Sequence, residues 1–322
     1  MRIDGLVVVD KPEGITSLDV VREVKRRFSV KKAGHIGTLD PFATGVLPVV
    51  LNEGTKLVPF LGEEPKEYEA VIKLGEETTT EDLTGEVTVR KSWEGVTPEL
   101  IQSVFQTFLG KIRQIPPMFS AVKMDGKPLY RWARRGVEID RKEREVEIFN
   151  LHIDHLDLPL VHFRISCTKG TYVRTLGKDI GRKIGCGAHV FRLKRIRSGS
   201  FTLERAVSWE RLKGLCTAES LYPWLISLTE ALGRLPEVIG DEGLIEKVRL
   251  GREIVARDLS SDVLPPFDEG MRVKIVSLVD GLVAISNSEV KSTEVGVGDP
   301  ERVVLRPVRI FHPSQPFGSL RS

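Results

Sequence analysis

The chain has 322 residues, 41% hydrophobic and 29% charged, with a net charge of +3. That is the composition of a globular protein with room for two domains. No apolar run approaches the ~20 residues needed to span a bilayer. The opening MRIDGLVVVDKPEG has too short an apolar run for a signal peptide and no cleavage site, so a cytoplasmic protein is expected.

The first element, GLVVVDKP, reads as a buried strand ending at Lys11-Pro12. GITSLDVVREVKRRF follows as an amphipathic helix, with Ser17 as N-cap and apolar residues at 18, 21, 24 and 28. Its outer face begins a basic run over 22–32. GHIGTLDPFATGVLPV (34–49) then sets Asp40 between glycines and a proline, ahead of a run fit for a buried strand. In KEYEAVIKLG (66–75) the period-two alternation puts Tyr68, Ala70, Ile72 and Leu74 on one strand face. TPELIQSVFQTFLG (97–110) is a helix with Thr97 as N-cap, Pro98 at its first position and Gly110 near its stop.

MFSAVKMDGKPLYRWARRG reads as a strand, an Asp-Gly turn and a short helix in which three arginines alternate with aromatics. Residues 145–167 give two strands around Pro159. Three of the six histidines fall there, in HIDHLDLPLVH, on what reads as a solvated face without a zinc ligand set. TYVRTLGKDIGRKIG is a helix and HVFRLKRIRSGSF a strand, with a second basic run over 182–197. Separate basic runs, one interleaved with aromatics, favour a polyanionic partner. Cys167, Cys186 and Cys216 are odd in number and too far apart for a metal knuckle, which argues against a disulfide framework. The mixture lacks a regular βαβ alternation and predicts an α+β fold with a mixed or antiparallel sheet.

Near residue 230 the character changes. Short helical pieces lead to MRVKIVSLVDGLVAISN, a hairpin with Asp280-Gly281 at its turn, and VVLRPVRIFHP adds a further strand. The expected division is 1–230, 231–312 for a small, mostly-β module, and a tail at 313–322.

Pro41 pushes Asp40 into extended backbone, and Gly37 and Gly45 permit turns or close approach by another chain. An Asp-Pro pair often does no more than start a turn. The pattern lacks GxxxxGK[ST], and an acid at its centre would repel phosphate. It marks no second acid for paired-carboxylate hydrolysis and no further acids for a magnesium-dependent aspartyl phosphate. A lone carboxylate acting on a neutral ring as nucleophile or base needs neither.

GHIGTLDPFATGVLPV resembles the catalytic motif of the TruB family of pseudouridine synthases. DKPEGITS (10–17), KEYEA (66–70), CTKGTYVRTLGKDIG (167–181) and GCGAHVFRLKRIRSG (185–199) are similar to its other motifs, in the same order. The end of the chain resembles a PUA RNA-binding domain. The resemblance implies isomerisation of uridine to pseudouridine in tRNA, at uridine-55 of the T stem-loop. It implies no cofactor, no metal and no guide RNA; a stacked base cannot react, so the target must be flipped out, and no membrane partner and a monomer are expected. Asp40 is implied as nucleophile or base, with Arg174 pairing with it and Tyr68 stacking on the target base. His35 is implied to touch the RNA beside the flipped nucleotide. Leu193 and Tyr172 are expected to line the pocket and Lys11 to support the loop. Residues 117–144 lie where the family carries an RNA-clamping insertion. Two other readings compete: a non-catalytic RNA-binding protein or chaperone on this fold, and an aspartate-nucleophile phosphotransferase dependent on magnesium.

Overall fold

A computed structural model of the chain describes residues 3–124, 126–259 and 264–312. The expected tail at 313–322, and Asp125 of the Asp-Gly turn, lie outside the described residues. The larger sheet has eleven strands. Its main path runs Ala206–Ser208, Gly5–Lys11, Thr44–Leu51, Ala188–Ser198, Lys66–Leu74, Leu160–Cys167, Arg144–Asp157, Gly110–Gln114. Two pairings are parallel, Gly5–Lys11 with Ala206–Ser208 and Thr44–Leu51 with Ala188–Ser198, and the rest of the path is antiparallel. The sheet is therefore mixed, as expected.

Helices Ser17–Arg27, Pro98–Gln106 and Val173–Ile184 bury their apolar faces in one core with the inward residues of these strands. Ala70, Ile72 and Leu74 lie in that core and Tyr68 packs against it, the single face that alternation predicts. Thr97 caps its helix through the Leu100 amide, with Pro98 first in the helix as expected, whereas Gly110 opens the next strand.

The first helix differs from expectation in its cap. Thr16, not Ser17, accepts from the Asp19 amide, and the Asp19 carboxylate accepts from the Thr16 amide, closing a capping box. Both residues can cap, and the reciprocal bond requires an acid three positions on, which only Thr16 has. The buried face accordingly runs through Ser17, Val20, Val21 and Val24, and Leu18 stands half exposed.

The helix Val173–Ile184 lies so close to the sheet that a Cβ on Gly181 would collide with the Ala188 backbone nitrogen. Gly181→Ala, ordinarily favourable in a helix by ~1 kcal/mol, is expected here to destabilise by about 1–3 kcal/mol through overpacking. Urea denaturation of the variant against wild type checks this.

The second sheet has five strands in the order Glu237–Ile239, Arg272–Ser277, Gly281–Ser288, Val303–Ile310, Ile254–Val255. The hairpin at Asp280-Gly281 forms as expected. Among the pieces expected to be helical, Glu237–Ile239 is instead a strand beside Arg272–Ser277. Helix Glu242–Arg249 covers one side of this sheet with Leu244, Ile245 and Val248. Val276, Leu282, Ile285 and Phe311 enter a core shared with Leu6, Val8, Ile226 and Leu228 of the first sheet's side. Lys56 donates to the Ile310 carbonyl, and Glu53 accepts from the His312 amide, so the end of the last strand is tied back to the segment after Thr44–Leu51.

Candidate active site

The loop 36–43 joins the short strand Ala33–His35 to Thr44–Leu51, and its amides and carbonyls are tied down along most of its length. Gly14 donates to the Pro41 carbonyl at 2.9 Å and Ala43 to the Asp40 carbonyl at 3.1 Å. The buried Ser17 hydroxyl accepts from the Leu39 amide at 2.8 Å and donates to its carbonyl at 3.1 Å. Leu39 immediately precedes Asp40, so the hydroxyl expected as a cap instead fixes the approach to the acid. Gly45, at φ +101°, admits no side chain because the Arg195 carbonyl occupies the space where a Cβ would stand. The stiffness of the motif thus follows from close contact between two parallel strands.

Asp40 receives a two-pronged hydrogen bond from Arg174, Nε to Oδ2 at 2.8 Å and Nη2 to Oδ1 at 3.1 Å. Charge-assisted forks of this kind fix geometry as well as charge. The Arg174 side chain is 2% exposed and that of Asp40 33% exposed. The remaining guanidinium donors go to the Thr80 carbonyl (2.9 Å) and the Phe119 carbonyl (2.8 Å), and Asp82 lies 3.7 Å from Nη1. Asp82 is held in turn by the hydroxyls of Thr80 and Thr84 and the Thr84 amide. Burial pushes the Asp40 carboxyl above the ordinary carboxylate value. The charge and hydrogen bonds of Arg174 oppose that rise, Asp82 adds to it, and Lys11 opposes it more weakly.

Lys11 is fully buried. Its ammonium donates to the carbonyls of Pro12 (2.7 Å), Ile15 (2.8 Å) and Pro41 (3.1 Å), which ties the first strand to the Asp40 loop. Burial lowers its pKa to about 8, against the opposing charge of Asp40. Tyr68 sits cross-strand from Arg195, and burial raises its phenol above the ordinary value. The Tyr172 phenol is likewise raised by burial, and the charges of Asp40 and Arg174 both act on it.

Leu193 and Phe42 line a cavity of about 570 Å³ together with Thr44 and Leu83, while Tyr68 lines a second of about 410 Å³. The charge of Asp40 acts on Arg174, Lys11, Tyr68 and Tyr172, which makes these side chains one electrostatic neighbourhood, while neither cavity is lined by Asp40, Arg174, Lys11 or Tyr172. His35 stands further along the strand Ala33–His35, in register with Val49. Its Nδ1 is buried without a hydrogen-bond partner, and burial lowers its pKa. His155 and His162 face each other across a strand pair, ring centroids 5.7 Å apart. Among the described residues no three His, Cys, Asp or Glu side chains are grouped to hold a metal ion.

Three residues at this site escaped the reading of the sequence: Asp82, Arg195 and Ser17 in its role at Leu39. Asp82 ends an acid-rich stretch that resembles a solvated turn. Arg195 did carry a signal, since alternation puts it on the inward face with Leu193.

The chain matches two family models, TruB family pseudouridylate synthase (N terminal domain) over residues 25–173 and tRNA pseudouridylate synthase B C-terminal domain over 174–232. It is 45% identical to the tRNA pseudouridine synthase B of Geobacter sulfurreducens, covering 96% of this chain and all of the relative. It is 43% identical to that of Syntrophus aciditrophicus, with 96% and 99% covered. Among solved structures, a chain of a Cbf5-Nop10-Gar1 complex superposes with a TM-score of 0.71 at 28% identity, covering 96% of this chain and 85% of that one. A chain of an H/ACA RNP bound to a substrate RNA containing 2'-deoxyuridine superposes with a TM-score of 0.72 at 25% identity, with 97% and 87% covered.

Proposed function

The chain belongs to the TruB family of pseudouridylate synthases, and from that premise we propose that it isomerises uridine-55 in the T stem-loop of tRNA, using Asp40 on a flipped-out nucleotide. The observation that carries this reading is the Asp40–Arg174 fork, a carboxylate held for reaction on a loop whose backbone cannot relax.

The reaction breaks the bond from N1 of uracil to C1′, turns the base and forms a bond from C5 to C1′. The C5 hydrogen leaves as a proton and N1 gains one, so nothing is oxidised or hydrolysed. Asp40 acts ionised, as nucleophile or base, and Arg174 favours that form as RNA displaces water from the site. Stacking of the extruded base on Tyr68, worth ~1–3 kcal/mol, offsets part of the few kcal/mol that unstacking costs. Leu193 forms the apolar wall, Tyr172 borders the pocket, and His35 meets the RNA beside the flipped nucleotide. Lys11 holds the loop.

Residues 117–144 act as the RNA clamp. Arg131, Arg134 and Arg135 are exposed there, and none is ion-paired with a described carboxylate, which suits phosphate contacts. The five-stranded module over about 231–312 is proposed as a PUA domain adding RNA-binding surface. The protein works in the cytoplasm as a monomer and without a guide RNA; no helix among the described residues is long and apolar enough to cross a membrane.

Tritium release from a T-arm stem-loop carrying 5-tritiated uridine tests the function. Release is expected in the presence of a chelator. A folded protein that binds this RNA and releases nothing would favour the non-catalytic reading, and release that survives the chelator excludes the magnesium-dependent phosphotransferase.

The same assay across pH is expected to give a bell. The acid limb lies above the ordinary carboxylate value, because the raised Asp40 carboxyl must lose its proton. The alkaline limb falls near pH 8, where Lys11 gives up the charge that holds the Pro41 carbonyl. The folded pKa of Lys11 is below its unfolded value, so between about pH 8 and 10.5 the unfolded chain binds more protons and this group makes stability rise with pH. Rate loss near pH 8 with an undiminished thermal midpoint therefore assigns the limb to the site.

A further inference from the structure

Arg195 is 1% exposed and among the largest fully buried side chains of the protein. Its Nε donates to the Val46 carbonyl at 2.7 Å, Nη2 to the Gly37 carbonyl at 3.0 Å and Nη1 to the Thr38 carbonyl at 3.4 Å. Gly37 and Thr38 enter the catalytic loop and Val46 leaves it, so one rigid guanidinium spans both of its ends. The Arg195 main chain touches the same loop from the other side: Arg195 pairs with Gly45 in the parallel ladder, where its carbonyl fills the Cβ position of Gly45. Cross-strand, Arg195 pairs with Tyr68, whose phenol lies near enough to favour the charged guanidinium against its burial.

No described carboxylate lies within ion-pair distance of this guanidinium; its hydrogen bonds go to carbonyl oxygens, and the nearby basic groups of Lys66, Lys11 and His35 feel its charge as repulsion. A buried cation is normally paired, because desolvation is otherwise uncompensated. Apolar side chains would fill the space at lower cost if packing were its only task. The planar fork of arginine suits a different task, since it can bond several acceptors at fixed separations where an ammonium on a flexible stem cannot.

We infer that Arg195 is a positioning residue for the isomerisation, a clamp that sets the separation of the two ends of the 37–46 loop and thereby places the Asp40 carboxylate relative to the Tyr68 ring. The inference rests on the isomerase reading above. Arg174 holds the carboxylate from in front through its side chain; Arg195 holds the backbone from behind, and it acts through the loop without touching substrate. A displacement of about 1 Å at a reacting group can cost ~10²-fold in rate.

The test compares wild type with Arg195→Lys and Arg195→Met, the second of which leaves no buried charge should the lysine prevent folding. Three quantities are read on T-arm RNA and free protein: the dissociation constant, the single-turnover rate at saturating RNA, and amide hydrogen exchange over residues 36–47. Affinity is expected to stay within about threefold while the single-turnover rate falls about 10²-fold. Faster exchange should be confined to the loop, with the strands Lys66–Leu74 and Ala188–Ser198 protected as in wild type. The clamp is overturned if either folded variant reacts at saturating RNA within about threefold of wild type. It is equally overturned if affinity and rate fall together with exchange raised across the whole sheet, which is the signature of a packing role alone. A wild type that binds the RNA and releases no tritium overturns the isomerase reading instead, and loop exchange in the variants still reports on the clamp.

Discussion

Asp40→Asn is expected to lower the single-turnover rate of pseudouridine formation by about 10⁵-fold or more, the scale on which loss of an essential nucleophile is felt, with tRNA affinity nearly unchanged. Asparagine keeps the size and planarity of the side chain and can still accept one hydrogen bond from Arg174. What it lacks is the anionic oxygen, and no described carboxylate is placed to supply a substitute. Asp82, the other described acid within ion-pair distance of Arg174, is 6% exposed and engaged by two threonines. The fold should tolerate the change. Burial already opposes ionisation of Asp40, so the amide removes an unfavourable charge from the folded state, while Asp82 remains as a counter-ion for Arg174. Rapid-quench tritium release, with filter binding of the same RNA, checks both halves. A variant that retains even a hundredth of the wild-type rate would show that the carboxylate is not the reacting group.

Arg174→Lys is the second large effect. Arg174 makes four polar contacts in three directions: both oxygens of Asp40, the Thr80 carbonyl and the Phe119 carbonyl. An ammonium has three donors on a compact centre and cannot reach all of these from one position. Removing one partner of a buried hydrogen-bonded pair costs about 3–5 kcal/mol; lysine keeps the charge, so about 10²–10³-fold in rate is expected, from lost orientation and a weaker hold on the ionised form. The acid limb of the pH profile should move upward, because less of the burial penalty on Asp40 is offset. The bond to Phe119 adds a structural consequence. It joins the catalytic pair to the start of the 117–144 segment, so faster hydrogen exchange is expected there in the variant. An unshifted acid limb with an unchanged rate would contradict the role assigned to the fork.

The site and the fold were legible in the sequence to different depths. Alternation in KEYEAVIKLG was enough to put Tyr68 on the core side, and Thr97-Pro98 was enough to start a helix, because these are local consequences of strand and helix periods. The change near residue 230 and the Asp280-Gly281 turn located the second sheet for the same reason. At Thr16-Ser17 the local signal was ambiguous. Either hydroxyl can cap, and the choice went to the one with an acid three residues later, which freed Ser17 to hold Leu39. The strand Glu237–Ile239 was missed because three residues are too few to show a period, and only its neighbour Arg272–Ser277 makes it a strand. Asp40 stood out by the company it keeps, and its partners were named through resemblance to a family, not through spacing.

By itself, then, the sequence singled out Asp40 as the acid to test and determined the inward faces of the strands, both of which are written within a few residues of one another. Only the tertiary structure decided what surrounds that acid. Arg174 reaches it across 134 positions and Arg195 reaches Val46 across 149. Asp82 and Ser17 join the site from stretches that look like an ordinary turn and an ordinary cap. The physical reason is that a buried charge is stabilised by whichever donors and dipoles the fold carries to it. Those contacts depend on strand order and register, which no local pattern of side chains encodes.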